Sequence, residues 1–228
     1  MDSETTYLAL LKRAGLVLLI IGCVDIAWMV YCITNEVAYS SSFNIFAVIA
    51  GVFMMRGSLR VAGWVRWWSL FILAGLSVAL AFFPFVQPFD LTVTEASLSP
   101  RAFLVSFLVA ILSAWLMYWL SQTLGSEPVQ RARESAGMKR SGSRLPIALG
   151  LTLSIAVVVL TSLLLNSENS VRAKSIAKQQ LGDDYRYHVG SLSTRSSADG
   201  THVRATVTAW NHGEIRHIPV GWSDPKRP

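Results

Sequence analysis

Asp25 is the residue whose position most suggests chemistry, because it interrupts an otherwise apolar run over residues 14–34. An ionised carboxylate in hydrocarbon costs on the order of 3 kcal/mol or more unless it is paired or protonated. We therefore expect the Asp25 side chain to face protein. Ser77, Ser113 and Ser154 lie near the middles of other apolar runs and are the hydrogen-bond donors expected at its depth. The carboxyl then either stabilises a helix bundle or carries protons or cations.

All four histidines lie after residue 180, and Glu214 lies between the last two of them. The four are His188, His202, His212 and His217. Their spacing matches no metal signature, so the sequence predicts surface histidines and neither a metal nor a cofactor. The strand pairing that we predict places His202 and His217 on one face, which makes this pair the weak candidate for a common ligand.

A basic segment over residues 126–144 is rich in serine and glycine, and we interpret it as a flexible cytoplasmic linker. Basic side chains next to a membrane attract anionic lipid headgroups, at roughly 1 kcal/mol each. The candidates for such contacts are Arg131, Arg133, Lys139, Arg140 and Arg144. The alternative is that these charges only set the membrane topology.

Motifs that identify an enzyme are missing from the sequence, which contains no Gly-rich phosphate loop, H-E-x-x-H, G-x-S-x-G or C-x-x-C. Cys23 and Cys32 are nine residues apart, which puts them on opposite faces of one helix and argues against a dithiol pair. The sequence therefore predicts a protein that is not an enzyme, and it names no substrate.

Membrane helices are the elements predicted to position these residues. Apolar residues make up 52% of the chain and charged residues 15%, and the mean hydropathy is +0.44, values typical of a multi-pass membrane protein. Runs long enough to cross a bilayer cover residues 14–34, 37–55, 67–85, 102–121 and 145–165. We predict an α-helical membrane protein with five transmembrane helices, the first four forming a bundle within residues 1–125.

Two details of these runs leave alternatives open. The run over 37–55 begins with polar residues and is the least clear span, whereas residues 87–101 contain two prolines and predict a loop. Residues 20–23 also fit a lipobox, but apolar sequence continues through Tyr31, which favours a retained helix. Small residues four apart predict close helix packing at Ala47 and Gly51, Gly75 and Ala79, Ala110 and Ala114, and Gly150 and Ser154.

Basic residues next to the predicted spans indicate the orientation, because ten lie on one side and only Arg101 lies in the opposite loops. The ten are Lys12, Arg13, Arg56, Arg60, Arg66, Arg131, Arg133, Lys139, Arg140 and Arg144. The positive-inside rule puts them in the cytoplasm of a cell whose inner (plasma) membrane holds the protein. The N-terminus is then cytoplasmic and residues 166–228 are periplasmic or extracellular. Because the net charge of +6 reflects topology, we predict no nucleic-acid partner.

Residues 166–228 predict a small α+β domain outside the membrane, a helix followed by a three-stranded antiparallel meander. The helix begins at the N-cap Ser170 and ends before Gly182. The strands cover residues 185–193, 201–210 and 215–222.

The apolar pattern also predicts the register of the last two strands. Pairing them around the turn at residues 211–214 places Val207 opposite Ile218, Ala205 opposite Val220 and Val203 opposite Trp222, all on one face. Pro219 predicts that the last strand lies at an edge or contains a bulge.

These features lead to two hypotheses on function. The first is a non-enzymatic membrane protein that contacts membrane lipid and whose external domain, residues 166–228, binds or positions an envelope partner. The alternative is a small transporter or channel subunit with Asp25 in a proton or cation path.

Overall fold

The computed structural model describes residues 2–36, 44–197, 200–211 and 213–225. Within these residues the chain forms eight helices and then three strands. The helices are α1 (Asp2–Thr34), α2 (Asn44–Met55), α3 (Leu59–Val86), α4 (Phe89–Leu98), α5 (Pro100–Gly125), α6 (Glu127–Ser135), α7 (Arg144–Leu165) and α8 (Glu168–Leu181). The strands are β1 (Arg186–Ser197), β2 (Gly200–Trp210) and β3 (Ile215–Pro225).

Four helical segments in the described residues are long and apolar enough to cross a membrane. They are Thr5–Thr34, Leu59–Phe83, Pro100–Gly125 and Arg144–Leu165. The predicted second span is not confirmed at full length, since α2 has 12 residues. A helix of 12 residues is about 18 Å long, against about 30 Å of hydrocarbon. The first part of that predicted span, residues 37–43, lies outside the described residues.

Two segments predicted as loop or linker contain helices. Residues 87–101 include α4, which begins after Pro88, and Pro100 is the first residue of α5. Proline is well tolerated at the start of a helix because the first N–H groups have no partner within the helix. The predicted flexible linker contains α6, with Ser126 as its N-cap and Glu127 in its first turn.

The chain divides into two compact units. The first comprises Met1–Leu76 and Leu112–Leu151, and the second comprises Ser77–Ile111 and Thr152–Pro228. The first unit has its core between α1, α2, α3 and α5. The buried residues of this core are Leu11, Ala14, Leu18, Met54, Ala62, Leu120 and Leu124.

Glycines allow α1 and α2 to cross at very short range. A Cβ atom built on Gly15 would lie 2.7 Å from the carbonyl oxygen of Gly51, and a Cβ on Gly51 would lie 2.7 Å from that of Gly15. Gly15 also lies near Met54 and Met55, whereas Gly51 lies near Leu19, so the two helices are antiparallel. The predicted close packing at Gly51 is thus confirmed.

A second close approach joins α7 to α3 within the first unit. A Cβ on Gly150 would lie 2.5 Å from the carbonyl oxygen of Phe71 and 3.0 Å from the Cβ of Ala74. The predicted close packing at Gly150 is confirmed as well, and both contacts bring helix backbones together as small residues do in membrane proteins.

The turn between α2 and α3 is shorter than the predicted loop, which places Arg66 inside a helix. Gly57 has φ of +82°, and the N–H of Ser58 donates to the carbonyl of Phe53, the arrangement of a Schellman motif. Helix α3 therefore begins at Leu59, eight residues before the predicted span.

The sheet of the second unit has the order β1-β2-β3 with antiparallel pairing. The predicted register is confirmed, because Val207 pairs with Ile218, Ala205 with Val220 and Val203 with Trp222. Strand β3 lies at an edge, as Pro219 predicts. The other edge strand, β1, shifts register between Val189 and Ser191, which leaves Gly190 as a bulge.

Helix α8 packs against one face of the sheet. Its buried Ala173 and Ala177 contact a core that includes Val189, Val207 and Val220, and Leu165 at the end of α7 packs against the same core. The helix starts earlier than predicted. Its N-cap is Ser167, and the predicted N-cap Ser170 is a buried residue of the first turn.

Candidate functional site

Asp25 lies on the face of α1 that packs against protein. The buried residues Leu11, Leu18, Gly22 and Cys32 follow one another at intervals that keep them on one side of the helix. Asp25 is three residues after Gly22 and seven before Cys32, so it belongs to the same stripe, and it is half-buried. That the carboxyl avoids lipid stays a prediction.

The three serines predicted to lie within the membrane are divided between the two units. Ser113 is half-buried and belongs to the first unit, as Asp25 does. Ser77, which is exposed, and Ser154, which is half-buried, belong to the second unit.

The weak metal candidates His202 and His217 share a face of the sheet but lie far apart. His202 pairs with Ser223, whose Oγ is 2.7 Å from His202 Nδ1, and His217 pairs with Thr208. Thr208 lies six positions after His202 on β2, a distance of about 20 Å along a strand. A single ion cannot contact both side chains at this separation.

The register brings together a different pair of histidines, His188 and His217. Both lie opposite Thr208, one on each neighbouring strand. His217 Nδ1 is 3.2 Å from Thr208 Oγ1, and Thr208 itself is buried. Burial lowers the pKa of His188, and the positive charge of Lys174 lowers it further. The sequence does not indicate this row of His188, Thr208 and His217, because the row depends on how β1 pairs with β2.

Glu214, the carboxylate near the histidines, forms hydrogen bonds at the end of the β2–β3 hairpin. It accepts hydrogen bonds from the Tyr185 hydroxyl and from Arg216 Nε, the latter at 3.0 Å. These bonds, that of Tyr185 first, lower the pKa of the Glu214 carboxyl. No cluster of three or more His, Cys, Asp or Glu side chains occurs among the described residues, and His212 lies outside them.

The basic segment is partly occupied by contacts within the protein. Glu127 forms ion pairs with Arg131 at 3.0 Å and with Arg140 at 3.1 Å. Arg133 turns instead toward α3, where its Nη1 donates to the carbonyl oxygen of Leu59 at 2.5 Å. Lys139 and Arg144 are exposed.

Gln130 explains why the basic segment is ordered. It is buried, its Nε2 donates to the carbonyl of Leu124 at 2.9 Å, and its Oε1 accepts from the N–H of Ser141 at 3.0 Å. Val129 beside it is fully buried. The segment is therefore packed onto the end of α5.

The sheet face opposite α8 is uncovered over most of its length. We call it the open face and define it by its exposed residues Ser191, Ser193, Arg195, His202, Arg204, Pro219, Gly221 and Ser223. Small residues at its centre leave a shallow depression of about 420 Å³. In the part of the chain that the structure describes, the residues alternating onto this face include no Asp or Glu.

No protein-family model, curated protein or solved structure matches the chain.

Two contacts of the basic segment are not predictable from the sequence, for the same reason. The sequence indicates Arg66 only as a topology residue, yet its Nη1 donates to the carbonyl oxygen of Ser141 at 2.5 Å. Gly63 and Gly125 lie against the guanidinium groups of Arg133 and Arg66. These contacts join residues 59 to 75 positions apart, and neither apolar spacing nor charge counting indicates such pairs.

Proposed function

We propose that the protein is a multi-pass protein of the inner (plasma) membrane that is not an enzyme and whose C-terminal domain binds an acidic envelope partner through the open face. The observation that carries this proposal is the exposure of Arg195 and Arg204 on a sheet face with no carboxylate among its described residues. Complementary charge steers partners to such a surface and suppresses wrong ones.

The edges of the sheet favour binding through the face. Gly190 forms a bulge in β1, and Pro219 removes a backbone N–H donor from β3. Bulges and prolines are devices by which proteins prevent another strand from adding to an edge. An acidic segment lying across the open face, with carboxylates toward Arg195 and Arg204, is therefore the occupant that we propose.

The proposed orientation has five crossings, a cytoplasmic N-terminus and the domain in the periplasm or outside the cell. Because α2 is antiparallel to α1, Arg56 at the end of α2 returns to the end of α1 that carries Lys12 and Arg13. This return supports a crossing pair even though α2 alone is short. The basic residues then share one side, as the positive-inside rule requires.

A photo-crosslinking amino acid at Ser193 of the full-length protein in cells tests this proposal. We expect one discrete adduct whose crosslinked peptide is acidic, and no such adduct from Ser175, which is exposed on α8. Arg204→Glu should abolish the adduct and Arg204→Lys should retain it. Lys178→Glu, the same change of charge on an exposed residue of α8, should have no effect.

Two outcomes would contradict the proposal. One is an adduct from Ser193 that survives Arg204→Glu at the wild-type level. The other is equal labelling from Ser175 and Ser193, which would show that the open face has no preference as a contact surface.

A further inference from the structure

The basic end of the first unit holds two arginine side chains that lie flat against glycines. A Cβ on Gly125 would lie 2.9 Å from Arg66 Nε, and the guanidinium of Arg133 lies even closer to Gly63. Gly63 is three residues before Arg66, so both contacts share one face of α3. Because Gly63 and Gly125 have no side chains, they leave room beside α3 for the planar guanidinium groups of Arg133 and Arg66.

The partners of these two arginines are carbonyl oxygens. Arg66 donates to Ser141, while Arg133 donates to Leu59 and, at 3.4 Å, to Lys139. Carbonyl groups orient a guanidinium but carry no charge to neutralise it. In the described part of the chain, the carboxylate engaged in this region is Glu127, which pairs with Arg131 and Arg140.

Each of the two arginines also has a donor that the protein does not use. The Nε atoms of Arg66 and Arg133 are buried and have no hydrogen-bond partner among the described residues. The charges of Arg133 and Arg140 lie close enough to that of Arg66 to repel it. A partly buried pair of like charges is costly unless an anion neutralises it.

Exposed aromatic side chains mark the level of this pair in the bilayer. Trp64 and Trp68 flank Arg66 on α3, and Trp115 and Tyr118 lie on the last turns of α5 before Gly125. All four are more than 40% exposed. Tryptophan and tyrosine concentrate where hydrocarbon meets the headgroups, the depth at which lipid phosphates lie.

We propose that Arg66 and Arg133 form a binding site for the phosphate of an anionic phospholipid, with the lipid chains beside α3 and α5. The planar fork of arginine matches phosphate oxygens, and the anion would neutralise both charges. Arg133, which the sequence predicts as a lipid contact, thereby binds the phosphate together with Arg66. Arg131 and Arg140 form ion pairs with Glu127 instead.

Lipid titration of the purified full-length protein in a neutral detergent tests the site. We expect phosphatidylglycerol to raise the unfolding temperature and to remain bound in native mass spectrometry, and phosphatidylcholine to do neither at equal concentration. Arg133→Gln should weaken phosphatidylglycerol binding about tenfold or more, the effect of losing a charged hydrogen-bonding group. Arg131→Gln is the matched control, because Arg131 is exposed on the same helix, and it should bind as the wild type does.

Arg133→Lys keeps the charge but removes the fork, and it replaces the glutamine variant if that variant does not fold. Weaker binding than in the wild type is expected here too. Equal binding by the wild type and by whichever Arg133 variant folds would overturn the proposal. If inorganic phosphate raised the unfolding temperature as much as phosphatidylglycerol does, the proposal that the anion comes from a lipid would be overturned.

Discussion

Asp25 is the residue at which the two functional hypotheses diverge, because a carboxyl on a packed helix face serves structure or conduction equally well. On the proposed function its role is structural. Asp25→Asn preserves size and hydrogen bonding, so we expect little change in the unfolding temperature or in the ability to complement a deletion strain. Asp25→Leu removes the polar group and should lower the unfolding temperature. A stable, well-expressed Asn variant that fails to complement would favour the transport alternative.

His188 should make the stability of the C-terminal domain sensitive to acid. Its folded-state pKa is lowered by burial and by Lys174, whereas a histidine in an unfolded chain has a pKa of about 6.5. As the pH falls through about 6.5, the unfolded state takes up a proton that the folded state does not, so the free energy of unfolding decreases. At higher pH both states are neutral and the effect is absent.

Thermal unfolding of the full-length protein at about pH 7.5 and about pH 5.5 measures this effect. His188→Gln should reduce the loss of stability at the lower pH. His202→Gln, at an exposed position on the same face, should leave it unchanged. An equal loss in the wild type and in His188→Gln would contradict the assignment.

At the scale of helices, the crossing of α1 and α2 is the contact most easily tested. Gly51→Ala would place a methyl group 2.7 Å from the Gly15 carbonyl oxygen, so the helices must separate. Alanine is intrinsically better than glycine in a helix by about 1 kcal/mol, so a lower unfolding temperature would show that the clash outweighs propensity. Gly142→Ala is the control, since nothing lies within 4 Å of its Cβ position. Unchanged stability in Gly51→Ala would mean that the helices do not depend on this approach.

Among the helices and strands, some could be predicted from the sequence and others could not. The β2–β3 register was predictable because alternation with a period of two and one polar turn leave a single alignment of Val207 with Ile218. The sequence did not predict α4 because Pro88 and Pro100 suggest breaks, although each stands before or at the start of a helix. It did not predict α6 because a segment rich in serine and glycine suggests a flexible linker. Ser126 followed by an acidic residue and proline is itself a helix-start signal.

The candidate sites were less predictable than the elements. The protein-facing position predicted for Asp25 needs only the local sequence, because the cost of a buried charge acts locally. The row of His188, Thr208 and His217 required the alignment of all three strands, and the contacts of Arg66 required the packing of three distant segments. Tertiary packing decides such contacts, and periodicity in one segment contains no information about it.

For the whole molecule, the orientation is the prediction to check first. Alkaline phosphatase, active only outside the cytoplasm, should be active when fused after Ser99 or after the C-terminus, and inactive when fused after Gly142. This pattern follows from the basic residues on the side of Gly142 and from five crossings. Activity after Gly142, or inactivity at the C-terminus, would require the reverse orientation or an even number of crossings.

The junction of α7 and α8 has a consequence for how a partner finds the domain. Only Asn166 and Ser167 separate the two helices, and Leu165 packs into the core of the domain. Two residues of linker permit almost no swinging, so in the proposed membrane orientation the sheet would stay at a fixed height next to the bilayer. A partner with its own membrane anchor would then search for the domain by lateral diffusion in two dimensions. Because the partner and the domain would share one membrane, their effective concentration would be high enough for a weak complex to form in most molecules. A competitor of equal affinity that diffuses freely in solution would hardly bind.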